Sequence, residues 1–216
     1  MFTDIFRVWS EMEFSERTIN EFLAMLQRSQ DMLSYTVKIL GKGKKGKKSE
    51  KKIYDRDKNI NTAERVIRRE ILVHLSAACC GNIAGCLRLM SVIKDAERIG
   101  DYVKNLFELR FYSEDADNDK QLFRQLFDTY GNDLLSLFDM VSTSYSKSDV
   151  TLAIQSADIA KALARDLEQF IRSVSESDYP PREAAILALG SQYMGRIAEH
   201  LFNISSTVFK PISDIE

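Results

Sequence analysis

The chain has 216 residues, 44% hydrophobic and 29% charged, with nine Gly and three Pro, and all three prolines (Pro180, Pro181, Pro211) lie beyond residue 179. So long a proline-free stretch, rich in Leu, Ala, Arg, Glu and Lys, excludes turn-rich β-sandwiches and points to long helices, and the apolar content excludes disorder throughout. The net charge of −2 is uneven: the segment from Gly41 to Lys52 carries seven Lys and one Glu, +6, which leaves −8 on the rest. An acidic body with one basic loop is not the charge distribution of a nucleic-acid binder.

Cys79, Cys80 and Cys86 crowd into eight residues. They make no disulfide framework and read as reduced thiols of a cytosolic protein. There is no apolar run of 18 residues and no basic-then-apolar leader, so a soluble cytoplasmic protein is expected.

In chain order, Phe2, Ile5, Phe6 and Trp9 make a short amphipathic start, expected to dock on the body of the protein. Six stripes at helical spacing follow. The first runs Ile19, Phe22, Leu26, Leu33, Val37, Leu40. A low-complexity Lys/Gly loop over 41–52, expected to be mobile, separates it from Ile53, Ile60, Ala63, Ile67, Ile71 and Leu75. The third stripe is Leu89, Val92, Ala96, Ile99, Val103, Leu106. After an acidic break at 113–119 come Phe123, Tyr130, Leu134, Leu137, Val141, then the alanine-rich Val150, Ala153, Ala157, Ala160, Ala164, Leu167, Ile171, Val174. Pro180-Pro181 open the last helix, where the missing amide hydrogen costs nothing. Its stripe is Ile186, Gly190, Tyr193, Ile197, Leu201, Ile204, Val208.

Such spacing, sustained in every segment, predicts an all-α protein with helices packed at shallow angles. An internal repeat sharpens this. Glu97-Arg-Ile-Gly-Asp-Tyr-Val-Lys-Asn-Leu106 aligns without a gap with Gly195-Arg-Ile-Ala-Glu-His-Leu-Phe-Asn-Ile204, 98 residues later. Two tandem three-helix units follow as the expectation, 1–112 and 118–210, together one compact domain of spectrin-repeat-like helices.

On the third helix, Glu97 and Asp101 are i, i+4 neighbours placed about 140° and 180° from the centre of the apolar stripe, hence outward. Two carboxylates so placed repel, and a bridging cation would reverse that term. Lys94 and Lys104, each three residues from one acid, could relieve it equally as parts of a solvated face. On the second helix Asp57, Asn61 and Glu64 share a face, and would approach Glu97 and Asp101 if the two helices were antiparallel neighbours.

Asp57-Lys-Asn-Ile-Asn-Thr-Ala-Glu64 followed by Asp95-Ala-Glu-Arg-Ile-Gly-Asp101 resembles the PhoU family of phosphate-uptake regulators. The resemblance implies two three-helix bundles related by a pseudo-two-fold. It also implies a metal ion (iron, zinc or manganese) on Asp57, Asn61, Glu64, Glu97 and Asp101, and a homodimer. The partners it implies are a phosphate transporter and a phosphate-sensing kinase. The second unit departs from the family pattern. Gly195 stands where an acid is usual and Ala162 follows Asp158 where a second acid is usual, leaving Asp158 and Glu199 as remnants of a second cluster. Cys86-Leu-Arg88 replaces the usual Asp-Leu-Arg.

His74, Cys79, Cys80 and Cys86 fit no zinc-module spacing and read as core or turn residues, and His200 is open between a metal ligand and a surface cap. The basic loop suits an anionic membrane surface or a phosphate-bearing partner, or is a solvated linker. A di-iron oxidase would need Glu three residues before an inward His, and neither His74 nor His200 has one. No nucleophile–base pair or phosphate-cradling loop stands out either. The sequence therefore reads as a non-enzymatic metal-binding adaptor in phosphate homeostasis, with a purely structural adaptor as the alternative.

Overall fold

The computed structural model describes residues 2–42, 47–77, 83–112 and 116–211; within its helices the side chains of 2–15, 47–48, 77 and 116–119 lie outside the description. Six helices carry the chain: α1 (Phe2–Leu40), α2 (Lys47–Ala77), α3 (Ile83–Glu108), α4 (Ala116–Lys147), α5 (Val150–Ser175) and α6 (Pro181–Phe209), with a 3-10 turn at Leu109–Tyr112 after α3. Among the described residues there is no strand, and no helix is long and apolar enough to cross a membrane.

Local chemistry sets the visible ends. Pro181 is the first residue of α6 and Pro180 caps it, where no amide hydrogen is needed. Between α4 and α5, Ser148 takes a left-handed backbone (φ 50°), and Asp149 caps α5 by accepting a hydrogen bond from the Leu152 amide at 3.0 Å. The loop expected over 41–52 is shorter than its composition suggests, since α2 already begins at Lys47. The reason is anchorage. Glu50 binds Arg110 at 2.7 Å, and the Lys52 ammonium lies 4.3 Å from the Tyr35 ring centre.

Helices α1, α2 and α3 pack on one another, as do α4, α5 and α6; α3 against α6 and α1 against α4 join the two triplets. The pairs α1/α2, α1/α4 and α3/α6 run antiparallel: Asp31 faces Arg56 across α1/α2, Gln30 faces Asp139 across α1/α4, and Arg88 donates to the Thr207 carbonyl across α3/α6. A main core spanning both triplets results, in which Phe22, Leu33, Ile60, Ile99, Phe138 and Ile197 are fully buried, beside a smaller cluster of Leu122, Val174 and Leu187. The stripes read from the sequence supply most of this core, except that Val150, at the first turn of α5, is exposed. Alanine and serine on α5 allow a close approach to α6, where Ser156 and Ser205 share a buried hydrogen bond of 2.9 Å.

Candidate functional site: the charged seam between α2 and α3

The antiparallel register of α2 and α3 brings the predicted acids into one seam. Gly100 faces Ile60 at this approach, where a Cβ would lie 3.1 Å from Ile60 Cδ1. Asp57 and Glu64 are almost fully buried, and the Glu97 and Asp101 side chains are only 13% and 25% exposed. The outward orientation expected from the helical wheel is thus corrected. A wheel assumes one buried face, whereas α3 is covered by α1, α2 and α6, leaving Arg98 as the exposed member of the motif.

Every acid of the seam has a cation. Lys104 Nζ lies 3.2 Å from Asp57 Oδ2 and 3.1 Å from Asp101 Oδ1, bridging the two helices. Lys94 holds Glu97 at 2.7 Å, Arg98 approaches Asp101 at 3.6 Å, and Arg68 Nε lies 3.1 Å from Glu64 Oε1 without the alignment of a hydrogen bond. Burial works against the Lys104 charge, but hydrogen bonds and attraction from Asp101 and Asp57 outweigh it and its pKa rises. For Asp57 burial wins. Desolvation, helped by Asp101 and Glu97, pushes its pKa above the usual carboxylate value despite Lys104.

The fit of this seam to a metal ion has two sides. Asp57 Oδ1 and Asn61 Oδ1 are buried and make no hydrogen bond, which is the donor chemistry a hard cation takes. Against that, four carboxylates face four cationic side chains, and the bridging position between Asp57 and Asp101 is taken by an ammonium. No group of three or more His, Cys, Asp or Glu among the described residues has a metal-holding arrangement. As folded, the seam does not fit a metal ion.

A polar contact missed by motif reading lies between the triplets. Asp95 is buried on α3, and its Oδ1 accepts from His200 Nδ1 at 2.7 Å and from Asn203 Nδ2 at 3.1 Å, both on α6. His200 also stacks on Tyr102, ring centres 5.7 Å apart. Its Nδ1 is thereby committed to a contact between the two triplets. The 98-residue offset makes Tyr102 equivalent to His200 and Asp95 equivalent to Tyr193. Tyr102 meets Tyr193 at 6.2 Å just as His200 meets Asp95, so two repeat-related pairs face each other at the α3/α6 crossing.

The corresponding seam of the second triplet is different. Superposing the buried stripes of α2 and α5 pairs Ile53, Ile60 and Ile71 with Ser156, Leu163 and Val174, an offset of 103. Asp57, Asn61 and Glu64 then correspond to Ala160, Ala164 and Leu167, while Glu97 and Lys104 correspond to Gly195 and Phe202. All five replacements line a cavity of about 620 Å³ between α5 and α6. Glu199 remains at its rim, tied to Arg196 at 2.6 Å. Asp158 is exposed and does not line the cavity, so the expected remnant pair is not brought together. Its acid-x-x-x-acid spacing lay off the buried face.

Cys86 is buried, which pushes its thiol pKa up, in keeping with a core residue. His74 is half-buried near the end of α2, and Cys79 and Cys80 lie outside the described residues, as do the side chains of Phe2, Ile5, Phe6 and Trp9.

Six helices in two interlocked triplets, with an ion-paired seam between α2 and α3, define an all-α helical bundle. More particularly, residues 22–109 match the model of the PhoU domain family. The fold as a whole is similar to that of the phosphate transport system regulatory protein PhoU from Streptococcus pneumoniae. That likeness has a TM-score of 0.79 and 16% identity, and covers 94% of this chain and 96% of the other. PhoU from Pseudomonas aeruginosa is similar too, with TM-score 0.74, 16% identity, and coverage of 92% and 95%. No curated protein matches the sequence.

Proposed function

We propose that the chain is a non-enzymatic regulator of phosphate transport, a helical adaptor that docks on a phosphate transporter and on the kinase that senses phosphate. The single observation that carries this is the PhoU-domain match over 22–109, set in a chain that follows the PhoU fold over nearly its whole length. In this reading the protein works on the cytoplasmic side as a homodimer, and the basic Lys/Gly loop reaches the anionic bilayer surface around the transporter.

The chemistry of the seams supports a regulator rather than an enzyme. Each seam carboxylate is held by Lys or Arg, and the His200 ring nitrogen facing Asp95 is taken by that acid. What the ion pairs and the Asp95 bridge supply is a rigid body whose two halves keep a fixed relation, which suits a docking platform.

The test is cross-linking and affinity capture of the full chain from cells grown in phosphate-rich and phosphate-poor media. The expected result is recovery of phosphate-transporter and sensor-kinase subunits in amounts that change with phosphate supply. Recovery of neither under either condition contradicts the reading.

A further inference from the structure

The α2/α3 seam contains both a cation-ready pair of oxygens and a side chain that denies a cation entry. Asp57 Oδ1 and Asn61 Oδ1, one helical turn apart, are buried without hydrogen-bond partners. Beside them Lys104 Nζ sits between Asp57 Oδ2 and Asp101 Oδ1 at 3.2 and 3.1 Å, the position from which one cation neutralises two carboxylates on two helices. We propose that the Lys104 ammonium stands in for a bridging metal ion, making this seam metal-independent, and that removing Lys104 opens it to a divalent cation.

Three observations converge on this. Lys104 is three residues beyond Asp101, and helical side chains lean toward the N-terminus, so its stem reaches back over Asp101 and across to α2 without strain. Its side chain is 22% exposed, so the ammonium is held in the seam rather than hydrated outside it. The seam is also charge-balanced by Lys104, Lys94, Arg98 and Arg68, so a divalent cation entering beside them would meet like charge. The second triplet has lost the same centre by another route. There the lysine position is Phe202, the acid positions are Ala160, Leu167 and Gly195, and the space is a cavity. Both halves thus dispense with a metal, one by substitution and one by erosion. This inference stands apart from the regulatory reading, since it concerns only what the seam holds.

The test uses the purified full chain and three variants, Lys104→Gln, Asp57→Asn and the double Lys104→Gln/Asp57→Asn. Each is loaded in turn with Fe²⁺, Zn²⁺ and Mn²⁺, passed through a desalting column, and measured for metal content and for the change in Tm with added metal. Wild type and Asp57→Asn are expected to retain no stoichiometric metal and to show the same Tm with metal or with chelator. Lys104→Gln is expected to take up metal and gain Tm with it, and Asp57→Asn in that background to weaken uptake by roughly tenfold or more. If Lys104→Gln accumulates only in metal-supplemented medium, that rescue is itself the expected gain. Stoichiometric metal in wild type that Asp57→Asn removes overturns the proposal. So does a folded Lys104→Gln with no metal response. Should Lys104→Gln fold under neither condition, Lys104→Met is loaded in its place and read by the same criteria.

Discussion

Replacing Asp95 by Ala probes the bond between the two halves. The substitution removes the one oxygen that accepts from both His200 and Asn203, and leaves those donors in a half-buried crossing. Hydrogen bonds to a charged group contribute about 1.5–3 kcal/mol each, and a buried donor left unpaired costs about 1–3 kcal/mol. The His200 side chain is 20% exposed, so water recovers part of that loss. A cost of about 3 kcal/mol is therefore expected, or a Tm lower by roughly 9 °C for a chain of this size. Urea titration followed by circular dichroism measures it directly. A double-mutant cycle with His200→Ala then isolates the pair, and a coupling of about 1–2 kcal/mol is expected. Asp95→Asn, which can still accept a hydrogen bond, should lose less than Asp95→Ala. If Asp95→Ala costs under about 0.5 kcal/mol, or the two single effects simply add, the bridge does not hold the halves together and the reasoning fails.

Other perturbations have signs fixed by the geometry. A Cβ on Gly190 would lie 2.5 Å from Leu126 Cδ2 in the core, whereas one on Gly195 meets only Leu167 Cβ at 3.9 Å. Gly190→Ala should therefore destabilise by about 1–2 kcal/mol, the overpacking exceeding the gain in helix propensity, and Gly195→Ala should stabilise by about 0.5–1 kcal/mol; denaturant midpoints moving the same way in both would refute this. Asp57, with its pKa raised, binds its proton more tightly folded than unfolded. Its contribution to stability therefore falls as pH rises from the ordinary 3.8 through the raised folded value, and at neutral pH the buried charge is a cost. Asp57→Asn should thus keep wild-type stability at pH 7 to within about 0.5 kcal/mol or exceed it, and a loss of several kcal/mol, as for a simple broken ion pair, would show otherwise. Tyr54 donates to Glu108 at 2.7 Å, which, with burial, pushes its pKa from 10.0 to about 12. Stability from this phenol is present below 10.0 and lost as pH rises toward about 12. Tyr130, Tyr145 and Tyr193 are also raised, so alkaline titration should show a loss in both proteins, larger in wild type than in Tyr54→Phe.

How much of this was legible in the sequence depends on what each signal measures. Stripe periodicity reports burial, so the helices and most of the core were readable. It reports only one buried face, however, and that is why Glu97 and Asp101 on the thrice-covered α3 looked solvent-facing when they lie in a seam. Motif spacing reports neither face nor register. It selected Asp158, whereas aligning the buried stripes of α2 and α5 selects Ala160 and Ala164. Asp95 belongs to the motif, but its contact with His200 and Asn203 depends on the packing of α3 against α6, which residue spacing does not report. The remaining clue, that Lys104 reaches two acids rather than relieving one, needs the antiparallel register of α2 and α3, which no local pattern encodes.

Regulation of phosphate transport is the central claim, and phosphate uptake measures it most directly. Cells lacking this chain, and the same cells complemented with the full chain, should be compared for initial uptake of labelled phosphate after growth in rich and in poor phosphate. The expected result is an uptake rate that no longer follows phosphate supply in the deletion and follows it again on complementation. Uptake that tracks supply equally well with and without the chain would contradict the account.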